Sequence, residues 1–115
     1  MLTINTLRMK KNKKNICPVS YAMSIIGGKW KIIVISSLVN KGMHRYKELE
    51  RAIPDVTPKM LVKVLKELEQ EKLIVRKVYP EVPPRVEYSV TPLGLSLNKL
   101  ILEINKWGEY HMSNS

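Results

Sequence analysis

The chain has 115 residues, 20 basic against 10 acidic side chains, and a hydrophobic share of 44% that includes no phenylalanine. That is one domain's worth of sequence, apolar enough to fold, with a core to be built from Leu, Ile, Val, Met, Tyr and two tryptophans. No apolar run approaches the roughly 20 residues of a membrane span, and a single cysteine excludes an internal disulfide, which fits a reducing cytoplasm.

Residues 1–15 hold Arg8, Lys10, Lys11, Lys13 and Lys14 and no acid, with no continuous apolar stretch before the charges. They are expected to form a basic, disordered tail rather than a signal peptide, with Met9 as a second candidate start. The folded domain is expected over 16–112, with 113–115 as a short tail. Pro18 suits a first helical position, and "PVSYAMSII" runs from it to Gly27-Gly28. "KWKIIVISSLVN" sets Trp30, Ile33, Val34 and Leu38 on one face, and Asn40-Lys41-Gly42 is a stop signal. "RYKELERAI" repeats Tyr46, Leu49 and Ile53 at helical spacing, and Pro54 ends it. After the tight "PDV" connection, Thr57 as N-cap and Pro58 at the first position open "KMLVKVLKELEQEKL".

"IVRKVYP" and "RVEYSV" alternate in polarity and are rich in β-branched and aromatic residues, so they predict a hairpin. Its tip lacks the Asn-Gly or Asp-Gly of an ordinary tight turn and instead carries Pro80, Pro83 and Pro84 followed by Arg85. Thr91-Pro92 repeats the cap-plus-proline start, opening one last helix, "LGLSLNKLILEINKWGEYHM". A short helix, a turn, a capped second helix and a β-hairpin together predict a winged helix-turn-helix, mainly α with a small β-hairpin.

The charge distribution agrees. Residues 29–85 hold thirteen basic against seven acidic side chains, whereas from 86 onward the balance is two against three. One end is suited to a polyanion and the other is not. On the helix after Thr57, Met60, Leu61, Val64, Leu65 and Leu68 share the predicted core face. Lys59, Lys63 and Lys66 fall opposite, flanked by Val62 and Gln70. A lysine face is often no more than a solvated surface. Directly after a helix-turn signature it is expected to enter a major groove, with the capped N-terminus offering N–H groups to phosphate. Lys59 and Lys63 reach phosphates or guanine acceptors, and Thr57 and Val62 suit contact with a thymine methyl. Arg85 and Lys77 are placed for a wing contact to the backbone or a neighbouring minor groove, on a tip stiffened by proline. Glu67, Glu69 and Glu71 crowd the helix end where the dipole favours cations, and the sequence offers no reason for them.

The pieces "CPVSYAMSIIGGKWKIIVISSL", "HRYKELERAIPDVTPKMLVKVLKELEQEKLIVRKVYPEVPPRVEYSVTPLG" and the closing Trp107-Gly108 resemble the HxlR-type bacterial winged-helix transcriptional regulators, relatives of the MarR-like group, over about residues 16–110. The resemblance implies a homodimer on a pseudo-palindromic double-stranded operator and, in many members, a response to electrophiles, oxidants or small metabolites. It implies groove roles for Thr57, Pro58, Lys59 and Lys63, a wing role for Arg85, and structural roles for Trp30 and Trp107. The chain departs from the redox members in lacking a second cysteine. A thiol switch would therefore need a Cys17–Cys17′ bond, a mixed disulfide with a small thiol, or direct alkylation.

Cys17, just before Pro18 and downstream of lysines, sits where a helix end and cations lower a thiol pKa, so it is a candidate sensor. The alternative is an inert, half-buried cysteine. The last helix carries Leu93, Leu97, Leu100, Ile101 and Ile104 on a broad stripe, with Leu95, Leu102 and Trp107 off it. An apolar surface on several sides asks for cover on several sides, and a second subunit joined through the terminal helices is the expected cover; a lone helix with some exposed leucines is the alternative. Catalysis is not expected, since two distant histidines and one aspartate assemble no constellation, and no metal-ligand spacing or cofactor motif is present. Rival expectations are a non-specific architectural or RNA-binding basic module and a winged helix used only for protein contacts.

Overall fold

In chain order the computed structural model, which describes residues 16–41 and 43–115, runs α1 (Pro18–Ile26), α2 (Lys31–Lys41), β1 (Met43–Arg45), α3 (Tyr46–Ala52), α4 (Pro58–Gln70), β2 (Ile74–Tyr79), β3 (Arg85–Val90), α5 (Pro92–Leu95) and α6 (Asn98–Ser113). The expected tail over 1–15 lies outside the described residues. Helix α6 continues to Ser113, one residue beyond the expected domain limit.

The helix ends follow from local chemistry. At the start of α4, the Thr57 hydroxyl oxygen accepts from the Met60 N–H at 3.1 Å, with Pro58 following. Between α1 and α2, Gly28 takes φ 95°, a backbone that favours glycine. Lys31, at the start of α2, donates to the Ile25 carbonyl at 3.1 Å and lies 4.0 Å from Glu67 of α4. One ammonium thus closes the C-terminal end of α1 and ties three helices together. It also accounts for Glu67, one of the three acids at the end of α4.

Helix α4 stops in a left-handed residue, Lys72 at φ 62°, and the Leu73 N–H reaches back to the Leu68 carbonyl at 3.0 Å. There the chain crosses itself. The Thr91 hydroxyl donates to the Lys72 carbonyl at 2.6 Å and accepts from the Gly94 N–H at 3.0 Å, while the Thr91 N–H binds the Leu73 carbonyl at 3.0 Å. A side chain at Gly94 would overlap the Leu73 carbonyl, so this crossing requires glycine. The crossing pins the short α5. The Ser96 and Leu97 N–H groups then bond to carbonyls three residues back, a tight turn that redirects the chain into α6. The single last helix expected from sequence is therefore two.

The sheet is antiparallel in the order β1-β3-β2, with β2 and β3 in register from Ile74 opposite Val90 to Tyr79 opposite Arg85. Strand β1 was not expected. It pairs Met43, His44 and Arg45 with Ser89, Tyr88 and Glu87. Alternation puts Ile74, Val86, Tyr88 and Val90 on the face toward the helices and Lys77, Tyr79, Arg85 and Glu87 on the other.

One core joins α1 through β3, with Ile35, Leu38, Leu49, Leu61, Leu65, Leu68 and Ile74 almost wholly buried. Truncating any of these leucines to alanine should cost about 2–5 kcal/mol. On the apolar faces predicted for α2 and α4, Ile33, whose place is taken by Ile35, and Met60 in the first turn of α4 are exposed. Both lie at element ends or edges, where a helical face outruns the surface that covers it. Among the described residues, no single helix is long and apolar enough to cross a membrane.

Candidate nucleic-acid interface

Helix α4 has two faces. Leu61, Val64, Leu65 and Leu68 are buried against α2 and the sheet. Lys59, Val62, Lys63 and Lys66 are exposed, and no ion pair to another described residue engages the three lysines. Thr57 and Pro58, also exposed, sit at the N-terminal end of the same helix. The buried stripe fixes the rotation of the helix, so its cations must point outward. The opposite end is anchored by Glu67 on Lys31.

Helix α3 approaches α4 through Tyr46, whose hydroxyl donates to the Pro58 carbonyl at 3.5 Å. Burial, followed by the nearby Glu50 carboxylate, raises the Tyr46 pKa, so the phenol stays protonated as a donor. Five residues, 53 to 57, join the two helices, and Ile53 and Val56 among them are buried. The turn is therefore held by packing as well as by its cap.

The wing is built differently from its expected form. Its tip is exposed, and Lys77 stands out from β2 with its ammonium 4.9 Å from the Tyr79 ring. Arg85, however, is folded back. Its guanidinium meets Glu81 at 3.1 Å and Glu87 at 3.4 Å and stacks over Tyr79 at 4.0 Å, leaving the side chain 28% exposed. The arginine expected to stand free on a rigid loop is neutralised within its own hairpin.

The sequence pattern of the HxlR-like helix-turn-helix family matches residues 25–115. The chain belongs to that family. Among its relatives, the uncharacterized HTH-type transcriptional regulator YkvN of Bacillus subtilis is 48% identical over 99 residues, 86% of this chain and 83% of its own length. A solved MarR-family structure from Porphyromonas gingivalis superposes with a TM-score of 0.77 at 47% identity, covering 83% of this chain and 92% of that one. The oxidised redox regulator HypR superposes with a TM-score of 0.77 at 41% identity, covering 82% and 96%. The protein is thus a transcriptional regulator of the HxlR/MarR type with a winged helix-turn-helix fold, and not an enzyme.

In this HxlR-like chain Cys17 is exposed and forms the N-cap of α1, in extended backbone. The Ser20 and then the Val19 N–H groups favour its thiolate and lower its pKa below the ordinary thiol value. Leu95, Leu102 and Trp107 are 51%, 53% and 65% exposed. Helix α6 buries no residue of its own, although Ile101 leans partly on the core. Trp107 stacks on His111 with ring centroids 5.2 Å apart.

Three further cations stand beside the wing: Arg45, Lys47 and Arg51, all exposed. Sequence reasoning passed over them because it followed the apolar repeat of α3. The signal was present, since Lys47 and Arg51 are four residues apart and so share a helix face.

Proposed function

We propose that the protein is a homodimeric regulator that binds a specific pseudo-palindromic site in double-stranded DNA, acting in the cytoplasm on the chromosome. The observation that carries this reading is the outward ridge of Lys59, Lys63 and Lys66 on a capped helix whose opposite face is sealed in the core. In a helix-turn-helix that second helix lies in the major groove. Lysines there supply phosphate and guanine contacts, while Thr57, Pro58 and Val62 offer small apolar surface to thymine methyls. Lys77 extends the contact toward the wing.

Dimerisation supplies the two-fold symmetry that a palindrome needs. It is supported by the exposed apolar surface of α5 and α6, where Leu95, Leu102 and Trp107 stand uncovered in one chain. A thiol response at Cys17 is supported by its exposure and lowered pKa, and by the likeness to a redox regulator. With one cysteine per chain, that response proceeds by alkylation with an electrophile or, where an oxidant takes up the two electrons, by a disulfide to a small thiol or to Cys17 of a second subunit.

Selection from a random duplex pool tests the reading. Enriched sites should be inverted repeats bound at least about a thousandfold more tightly than unrelated duplex. Equal affinity for all duplexes, or a preference for RNA, would establish a non-specific architectural or RNA-binding module instead. Cys17→Ser should abolish the response of DNA binding to electrophiles while leaving binding itself intact.

A further inference from the structure

Between α3 and the wing tip lies an open cleft of about 640 Å³, walled on one side by Arg45 at the end of β1 with Tyr46, Lys47, Glu48 and Arg51 of α3, and on the other by Glu81, residues 82–84 and Arg85. Its cations outnumber its acids, and they are not equivalent. Arg85 is held by Glu81 at 3.1 Å and by Glu87 at 3.4 Å. Glu48 is occupied as well, accepting from the Arg45 backbone N–H at 2.7 Å at the start of α3. Lys47 and Arg51 are exposed and share one face of α3. Tyr46 both lines the cleft and donates to Pro58, so the cleft adjoins the first turn of α4.

We propose that this cleft seats a backbone phosphate of duplex DNA on Lys47 and Arg51, and that Glu81 restrains the site by holding Arg85 in an internal pair. This rests on the DNA-binding reading above and adds to it a contact outside α4. A phosphate entering the cleft meets two exposed cations on the α3 side and a carboxylate on the wing side. Attraction is strongest when Arg85 exchanges Glu81 for the phosphate. The exchange replaces one charge-assisted pair by another, and Glu87 remains to orient the guanidinium. The wing therefore contributes little to affinity until a duplex is close. This limits sequence-independent binding, which backbone charge dominates.

The experiment is fluorescence anisotropy with a labelled mixed-sequence duplex of about 30 bp, from about 50 to 200 mM KCl. The full chain is compared with a Lys47→Gln/Arg51→Gln variant, with Glu81→Gln and with Lys63→Ala, all checked for unchanged thermal melting. The double variant should bind about tenfold more weakly at about 0.1 M salt, with a log–log salt slope shallower by about one unit. Glu81→Gln should bind about threefold more tightly, because Arg85 is partly released. If Lys63→Ala weakens binding while the double variant and Glu81→Gln match the parent in affinity and slope, the cleft proposal is overturned and the groove reading survives. If the parent chain binds neither this duplex nor its selected inverted repeat, both are overturned.

Discussion

Helix α4 and the wing carry cations of the same formal charge but hold them in opposite ways. On α4, Lys59, Lys63 and Lys66 project from a helix whose other face is locked by Leu61, Val64, Leu65 and Leu68. On the wing, Arg85 is paired to Glu81 and Glu87 and covered by Tyr79. A count of charge along the chain treats the two alike. Availability differs, because an internally paired guanidinium must give up a partner before it takes a phosphate, whereas a solvated ammonium gives up only water and counterions.

Substitutions on the two elements should separate these states, most of all on α4. Lys63→Glu should weaken binding to the selected operator about a hundredfold, since it removes a phosphate contact and adds repulsion; titration by anisotropy reads it directly. Arg85→Ala should lower the same affinity by no more than about threefold, as its charge is already balanced at home. If Arg85→Ala proved as damaging as Lys63→Glu, the contrast between the two regions would vanish. Thr57→Ala and Thr91→Ala test the supports beneath each region. Each loses an N-cap and should cost about 1 kcal/mol in urea unfolding. Thr91→Ala should be the worse of the two, because its hydroxyl also binds the Lys72 carbonyl.

The pH dependence of Cys17 is a smaller matter. Its thiolate is favoured by backbone N–H groups, so its alkylation by iodoacetamide should persist to lower pH than that of a free thiol. A reaction midpoint at or above the ordinary thiol value would contradict this. The smallest effect is expected at Lys72, where glycine relieves a left-handed backbone and should gain at most about 1 kcal/mol of stability.

Much of this architecture was legible in the sequence, for physical reasons that can be named. Thr57-Pro58 and Thr91-Pro92 marked helix starts because a hydroxyl cap and a fixed φ act within a few residues. The strands on either side of the proline-rich tip were legible from their alternation. Strand β1 was not, as three residues are too few to show a period and only their pairing with β3 makes them a strand. The break between α5 and α6 was hidden for a similar reason, since it arises from Thr91 and Gly94 gripping the end of α4 across nineteen residues of chain.

The candidate site divides the same way. The lysine ridge of α4 follows from helical spacing alone. The neutralisation of Arg85 depends on the hairpin register that puts Glu87 opposite Lys77 and two residues from Arg85, with Glu81 brought in by the tip. The role of Glu67 depends on Lys31, thirty-six residues away. Local spacing indicates which residues share a face, and only the tertiary fold decides which of their charges remain available.

The most direct test is dimethyl sulfate footprinting of the full chain on its selected operator, which reports guanine N7 in the major groove and adenine N3 in the minor groove. Protection of guanine N7 in two patches about 10 bp apart, lost in Lys63→Glu, is expected if two α4 ridges occupy successive major grooves. Unprotected N7 throughout a fully bound operator, or protection confined to adenine N3, would contradict that placement.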